Sequence, residues 1–290
     1  MPTAGKRKLI VMLVVGLSST VAHGIRSSAV GPQAGSRLPA GTSGGPPPPV
    51  ASSASNVRPE VVGVRPDMAF DDAYKRLRAY NPKAKIEIGE VQVAEFGPKP
   101  LPVTLRLQSP AGPGAEVPEI IEMELTLPPE KPIVWGIVRR LYFPAGKEQT
   151  RTSLLADLRR RYGPENHGIT VPIVNLYWAF DEEGRRVETT GGPYNNCAVP
   201  GPWDLTLNLS ATRPGSSRFP GKSLLLDRPA PGNGPCKPLV HVKALLQPSG
   251  RQSLELIESM TIAVIDAALA ARAQAATSAL RARTVEKSKK

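Results

Sequence analysis

The stretch Ile121-Glu122-Met123-Glu124-Leu125-Thr126-Leu127 alternates apolar and polar residues without interruption. Successive side chains of a β-strand point to opposite faces of a sheet, so a period of two predicts a strand with one apolar and one polar face. Such a pattern is typical of antiparallel sheets, in which one face packs on the core and the other contacts water. The stretch therefore predicts a half-buried antiparallel strand.

The same alternation recurs on both sides of this stretch. Gly89 interrupts one strand pattern and predicts a bulge or bend. Asp181 to Gly184 predict a hairpin turn; a calcium loop is the alternative, but the ligand spacing of such a loop is missing. The apolar positions of the other predicted strands are Ile86, Ile88, Val91 and Val93; Val103, Leu105 and Leu107; Ile133, Trp135, Ile137, Leu141 and Phe143; Val174, Leu176, Trp178 and Phe180; Leu205, Leu207 and Leu209; Val240, Val242, Ala244 and Leu246; and those within residues 256–265.

Two amphipathic helices are predicted between the strands. Residues 69–80 open with two aspartates, which complement the positive end of a helix dipole, and place Ala73, Leu77 and Tyr80 on one face. Residues 151–162 place Leu154, Leu155, Leu158 and Tyr162 on one face. Gly163-Pro164 then ends this second helix, because glycine accepts a left-handed conformation and proline cannot continue a helix.

A helix followed by antiparallel strands thus occurs twice, which is typical of the α+β class. We predict a domain over 61–283, built from two units of helix packed on antiparallel sheet, 61–145 and 146–283. An alanine-rich C-terminal helix, with Asp266 as its N-cap, closes the domain. A basic tail, 284–290, follows it.

Residues 1–24 have the order of a secretory signal peptide. Three cations at residues 6–8 precede an apolar run at 9–17, and small residues lead to a cleavage site between Ala22 and His23. The apolar run is shorter than the ~20 residues that a membrane span needs, and an uncleaved anchor is the alternative. We therefore expect a periplasmic or secreted protein.

Residues 25–60 are predicted to be a disordered tether, since 24 of the 36 are Gly, Pro, Ser or Ala. A ligand role for the proline run 46–49 is the alternative. The formal net charge is +12, of which the signal carries +3 and residues 267–290 carry +5. The remaining chain is only mildly basic, which argues against nucleic acid as a partner, because nucleic-acid binders concentrate their charge on the fold.

Cys197 and Cys236 are the two cysteines of the chain. In an oxidising compartment an isolated pair predicts one disulfide. Free thiols and a metal pair are the alternatives, although a metal site needs about four ligands and the chain has only three histidines.

The sequence contains no nucleophile elbow, zinc-binding helix, phosphate loop or dinucleotide fingerprint. No catalytic, cofactor-binding or metal-binding residues are therefore predicted, and His167 with Asp181 is the one alternative for a hydrolase. His241, beside Lys243 on the polar side of a strand, is predicted to face solvent. The cations 159–161 are predicted to form the solvated face of the second helix, with an anion-binding ridge as the alternative.

The spacing of Gly63, Met68, Asp72, Ala73 and Leu77 resembles the start of small bacterial envelope domains. These are the SmpA/OmlA outer-membrane assembly lipoproteins and domains of the β-lactamase-inhibitor-protein fold. The whole chain is also similar in layout to exported proteobacterial proteins. The resemblance implies tandem helix-on-sheet units that work through protein contacts, and it implies no catalytic residues.

The sequence thus predicts an exported, non-enzymatic binding protein of the bacterial envelope that uses no cofactor. The expected partner is another envelope protein; an anionic glycan or lipid head group is the second choice, and membrane contact is expected only through an uncleaved signal. The alternatives are a secreted hydrolase of unrecognised type and a structural envelope component. A binding module should expose an apolar patch on a sheet face, whereas an enzyme should bring a titratable group to a nucleophile.

Overall fold

A computed structural model of the chain describes residues 57–109, 117–169, 173–187, 240–250 and 254–288. In these residues the fold is α+β, with one antiparallel sheet of nine strands and three helices. The strands are β1 (Lys85–Val91), β2 (Leu101–Gln108), β3 (Glu119–Leu125), β4 (Val134–Tyr142), β5 (Gln149–Thr150), β6 (His167–Ile169), β7 (Val174–Phe180), β8 (Val240–Pro248) and β9 (Leu256–Asp266). The helices are α1 (Phe70–Tyr80), α2 (Arg151–Tyr162) and α3 (Ala267–Ser288), and a short 3-10 turn spans Ala94–Phe96.

The strand order in the sheet is β1-β2-β3-β4-β9-β8-β7-β6, and β5 pairs with β9 as well. The last strand of the chain therefore lies in the middle of the sheet, between β4 and β8. Both predicted units contribute strands to this one sheet, and β9 joins them.

The two faces of the sheet are covered differently. Leu77 of α1 and Leu158 of α2 are buried in the main core, against apolar side chains of the first face. The ring centroids of Tyr162 on α2 and Trp178 on β7 lie 5.5 Å apart in this core. On the second face, α3 packs its small side chains on one end of the sheet. That second core consists of Val103, Leu127, Trp135, Val138, Ala263, Ile265, Leu269, Ala270 and Ala273.

Local sequence explains where the helices begin and end. The Thr150 hydroxyl accepts a hydrogen bond from the Ser153 amide (3.2 Å) at the start of α2, and Gly163, with φ +78°, ends it. Asp266 accepts a hydrogen bond from the Leu269 amide (2.7 Å), which confirms it as the N-cap of α3. The apolar stripe predicted for α1 is wrong at Tyr80, which is 41% exposed, because its hydroxyl donates to the Glu119 carboxylate instead (2.9 Å).

Most predicted strands are confirmed, but one expectation about burial is wrong. The register of β1 and β2 shifts at Gly89, as predicted, and Gly184 donates its amide to Asp181 in the predicted hairpin turn (3.0 Å). In contrast, β3 is buried along its whole length rather than on one face. Both of its faces lie inside the protein, since the polar face contacts other polar side chains instead of water.

The folded region begins before residue 61, where we predicted its start. The Val57 amide donates to the Gly184 carbonyl (2.9 Å), and Pro59 is buried. Gly184 is required there, because a Cβ on it would lie 2.5 Å from the Val57 carbonyl oxygen. The predicted signal peptide, residues 25–56 of the predicted tether, the predicted strand at 205–209 and both cysteines lie outside the described residues. Among the described helices, none is long and apolar enough to cross a membrane.

Candidate functional site

His167 and Asp181, the pair considered for a hydrolase, are not brought together. His167 on β6 lies opposite Tyr177 on β7, whereas Asp181 lies four residues beyond Tyr177, directly after the end of β7. A strand rises about 3.3 Å per residue, so the two positions are separated by roughly 13 Å along the sheet. The Asp181 carboxylate instead accepts hydrogen bonds from the amide (2.8 Å) and the guanidinium (2.7 Å) of Arg185. Asp181 therefore holds the hairpin turn.

His241 does not face solvent as predicted, since only 5% of it is exposed. Its Nδ1 forms a hydrogen bond with the Tyr177 hydroxyl on the neighbouring strand, and the two ring centroids lie 5.6 Å apart. Burial lowers the pKa of His241 to about 4, and burial also raises the pKa of Tyr177. Both side chains are therefore neutral at pH 7, and their pairing holds β7 against β8.

A set of charged and hydroxyl-bearing side chains occupies part of the second face of the sheet. Arg106 on β2 lies opposite Glu122 on β3, and Thr104 lies opposite Glu124. On β4, the Arg140 Nε donates to the Thr261 hydroxyl across the sheet (3.0 Å). Each of the six residues is at most 9% exposed: Thr104, Arg106, Glu122, Glu124, Arg140 and Thr261.

Desolvation raises the pKa of Glu122, and the positive charges of Arg106 and Arg140 only partly oppose this rise. Buried charges persist in proteins when opposite charges and hydrogen bonds surround them. Because these side chains are so little exposed, they are unable to contact a macromolecular partner in this conformation. They form a buried polar layer that extends across β2, β3, β4 and β9.

The same face of the sheet becomes accessible at one corner. Along β8 its side chains change from buried His241 to half-buried Leu245 and exposed Gln247. On the adjoining strand, Asn175 lies opposite both Leu245 and Ile169. We define the open corner as Ile169, Ile173, Asn175, Leu245 and Gln247.

Two large apolar side chains dominate the open corner. Ile169 and Ile173 are each 44% exposed, and polar side chains of Asn175 and Gln247 flank them. Among the described strands, β6 pairs only with β7, so the outer backbone groups of β6 lie at an edge of the sheet. An apolar patch beside an edge strand is able to receive an extended segment of another protein.

The solvated face predicted for α2 is confirmed, and its cations are paired. Arg159 lies 2.6 Å from Glu165, Arg160 lies 2.8 Å from Asp157, and Arg161 lies 4.0 Å from Glu60. These carboxylates neutralise the charges on which an anion-binding ridge would depend.

No group of three or more His, Cys, Asp or Glu side chains in the described parts of the chain is arranged to hold a metal ion. Comparison of the chain with protein-family models, curated proteins and solved structures found no match. We therefore infer its function from its own side chains.

Proposed function

We propose that this chain is an exported, non-enzymatic binding protein of the bacterial envelope and that it contacts another envelope protein through the open corner. The observation that carries this proposal is the exposure of Ile169 and Ile173 beside the edge strand β6. The resemblance of the residues around Met68 to envelope assembly domains supports the same class of function.

The composition of the open corner favours a protein as the partner. Fully burying an isoleucine side chain contributes ~1.5–3 kcal/mol, so covering the exposed parts of two would contribute about 2 kcal/mol. The outer amides and carbonyls of β6 would then pair with the backbone of an extended segment, and Asn175 and Gln247 would form part of the polar rim. A small-molecule partner would instead require a concave site.

Ile88 provides a matched control for this surface. It lies on β1, the opposite edge strand of the sheet, and is also 44% exposed. In the cells that make the protein, a photo-crosslinking amino acid placed at 169 or 173 should form a discrete adduct, whereas the same residue at 88 should not.

Charge substitution gives an independent measurement. The amount of partner that co-purifies with the double variant Ile169→Asp/Ile173→Asp should be at least about tenfold lower than with the wild type, since a buried carboxylate opposes association. Ile88→Asp should retain it, and the thermal unfolding of all three proteins should be similar. Equal retention by the two variants, or equal loss, would overturn the open corner as the contact site.

The export part of the proposal has its own test. N-terminal sequencing of the protein from fractionated cells should begin near His23 or Ile25, in the periplasmic or secreted fraction. A stable cytoplasmic protein that begins at Met1 would contradict this localisation.

A further inference from the structure

Helix α3 is fixed to the sheet along one side. Ala270 and Ala273 are fully buried in the second core, and the Thr277 hydroxyl donates to the Pro128 carbonyl (2.8 Å). One turn later, the guanidinium of Arg281 donates to the Glu95 carboxylate (2.8 Å). These contacts attach one side of the helix to the sheet, and its other side is exposed.

The exposed side of α3 carries a row of cations, which we call the basic row: Arg272, Arg283 and Lys287. Eleven residues make slightly more than three helical turns, so Arg272 and Arg283 point in nearly the same direction, and Lys287 follows about one turn later. Exposed Ala275 and Ala279 lie between them and do not cover the long cationic side chains. At 1.5 Å per residue the row extends over about 22 Å.

The basic row differs from the other cationic helix of this fold. In the described residues, no carboxylate lies within 4.0 Å of Arg272, Arg283 or Lys287, whereas all three consecutive arginines of α2 have a carboxylate at that distance. Glu286 is the one acidic residue in the sequence from 267 to 290, and Lys289 and Lys290 follow it. Arg281 is paired with Glu95, and Arg272 interacts electrostatically with Asp266 at the start of the helix without forming an ion pair. The cations of α3 that are available to an external anion are therefore those of the basic row.

We propose that the basic row binds the surface of an anionic lipid bilayer through its head groups. The guanidinium-bearing positions 272 and 283 are about 16 Å apart on a convex helix, so they are too far apart to enclose one small anion but suit an extended anionic surface. The inner side of α3 is committed to the core, so the helix would lie on the head groups without inserting.

Lipid is favoured over nucleic acid because export would place the chain beside a membrane. Lipid binding by the basic row does not depend on the protein contact at the open corner, so either proposal can be wrong while the other holds. Each cation near an anionic bilayer contributes about a fivefold gain in binding, so three contribute about 100-fold at moderate ionic strength.

The test is co-sedimentation of the protein, purified in its natural processed form, with vesicles of defined composition. One set contains phosphatidylglycerol and phosphatidylcholine, and the other contains phosphatidylcholine alone. The test variant is Arg272→Gln/Arg283→Gln/Lys287→Gln. The control, Arg159→Gln/Arg160→Gln/Arg161→Gln, makes the same change in net charge on α2, which packs on the other face of the sheet.

The wild type should bind the anionic vesicles and not the neutral ones, and added salt should weaken this binding because charges are screened over ~8 Å at physiological ionic strength. The affinity of the α3 variant for the anionic vesicles should be at least tenfold lower than that of the wild type, while the affinity of the α2 variant should be less than about twofold lower. Equal losses in the two variants would overturn the proposal. So would binding to DNA or heparin without binding to anionic vesicles, or equal binding to both kinds of vesicle.

Discussion

Arg106 on β2 lies directly opposite Glu122 on β3, and only 1% and 7% of these two residues are exposed. A charge removed from water is costly unless neighbouring charges and hydrogen bonds compensate for it. In the same layer Arg140 contacts the Thr261 hydroxyl from the next strand. The centre of the sheet therefore has apolar packing on one face and, on the other, a layer of buried charged and polar side chains that depend on one another.

Arg106→Met should destabilise the fold by about 3–5 kcal/mol, because it removes the positive charge opposite a buried carboxylate. Adding Glu122→Met should restore part of this loss, since two apolar side chains of similar volume no longer leave a charge buried. Urea unfolding of the wild type, both single variants and the double variant measures the coupling. Additive effects of the two substitutions would show that the residues do not interact.

Relative to the wild type, Glu122→Gln should become more stable as pH rises from about 4 to 7.5. The folded state raises the pKa of Glu122 by desolvation, so it binds the proton more tightly than the unfolded chain does. The contribution of this group to stability is therefore present at low pH and is lost as pH rises through the raised pKa.

Glutamine is neutral throughout that range, so the variant lacks this dependence on pH. Between the two ends of this pH range, the difference in unfolding free energy should shift in favour of the variant by about 1.4 kcal/mol for each pKa unit by which folding raises the pKa of Glu122. The free energy of unfolding of both proteins, measured from pH 4 to 7.5, tests this. A constant difference between them at every pH would contradict the raised pKa.

Much of the fold could be predicted because local patterns determine it. The leucines of α2 recur at helical spacing and Gly163 follows them, so the predicted end of the helix is confirmed. The position of β9 between β4 and β8 could not be predicted in this way. Alternation indicates which residues share a face, but it carries no information about which strands pair.

Less of the candidate site could be predicted. Alternating Glu122 and Glu124 have the same pattern whether their face contacts water or Arg106, because periodicity does not distinguish a solvated charge from a paired one. The prediction that His241 faces solvent was wrong for the same reason. Lys243 lies on the same side of β8 and is half-buried, whereas His241 is buried. The open corner depends on which end of a face stays uncovered, and only the tertiary structure determines that.

Leu77→Ala and Leu158→Ala should each cost about 2–5 kcal/mol in the free energy of unfolding. Both side chains are buried, at 0% and 4% exposed, where α1 and α2 pack on the sheet. Leu256→Ala is the matched control, because Leu256 is 37% exposed, and it should cost less than about 1 kcal/mol. Wild-type stability in either core variant, measured by urea unfolding, would contradict the packing of that helix.

The Cys197–Cys236 disulfide stays a prediction and is tested on the purified protein. A bridge that closes a loop of about 40 residues contributes around 4 kcal/mol in the chain-entropy model. Peptide mapping by mass spectrometry without reductant should find the two cysteine peptides linked. Two separate peptides with alkylated thiols would contradict the prediction.

His241 should make the fold sensitive to acid. Burial lowers its pKa in the folded state to about 4, from an ordinary value of 6.5, so the unfolded chain binds the proton more tightly. The stability from this group is therefore fully present above pH ~6.5 and is lost as pH falls towards 4. At 1.36 kcal/mol per pKa unit, the loss should be about 3 kcal/mol.

The double variant His241→Phe/Tyr177→Phe removes the titrating group together with the hydroxyl that pairs with it. Between about pH 7 and pH 4, its free energy of unfolding, measured in urea, should fall by about 3 kcal/mol less than that of the wild type does. His167→Gln is the control, because His167 is partly exposed on β6, and it should keep the wild-type dependence on pH. If the double variant lost as much stability in acid as the wild type, another group would be responsible, and the buried pairing of His241 with Tyr177 would not account for acid sensitivity.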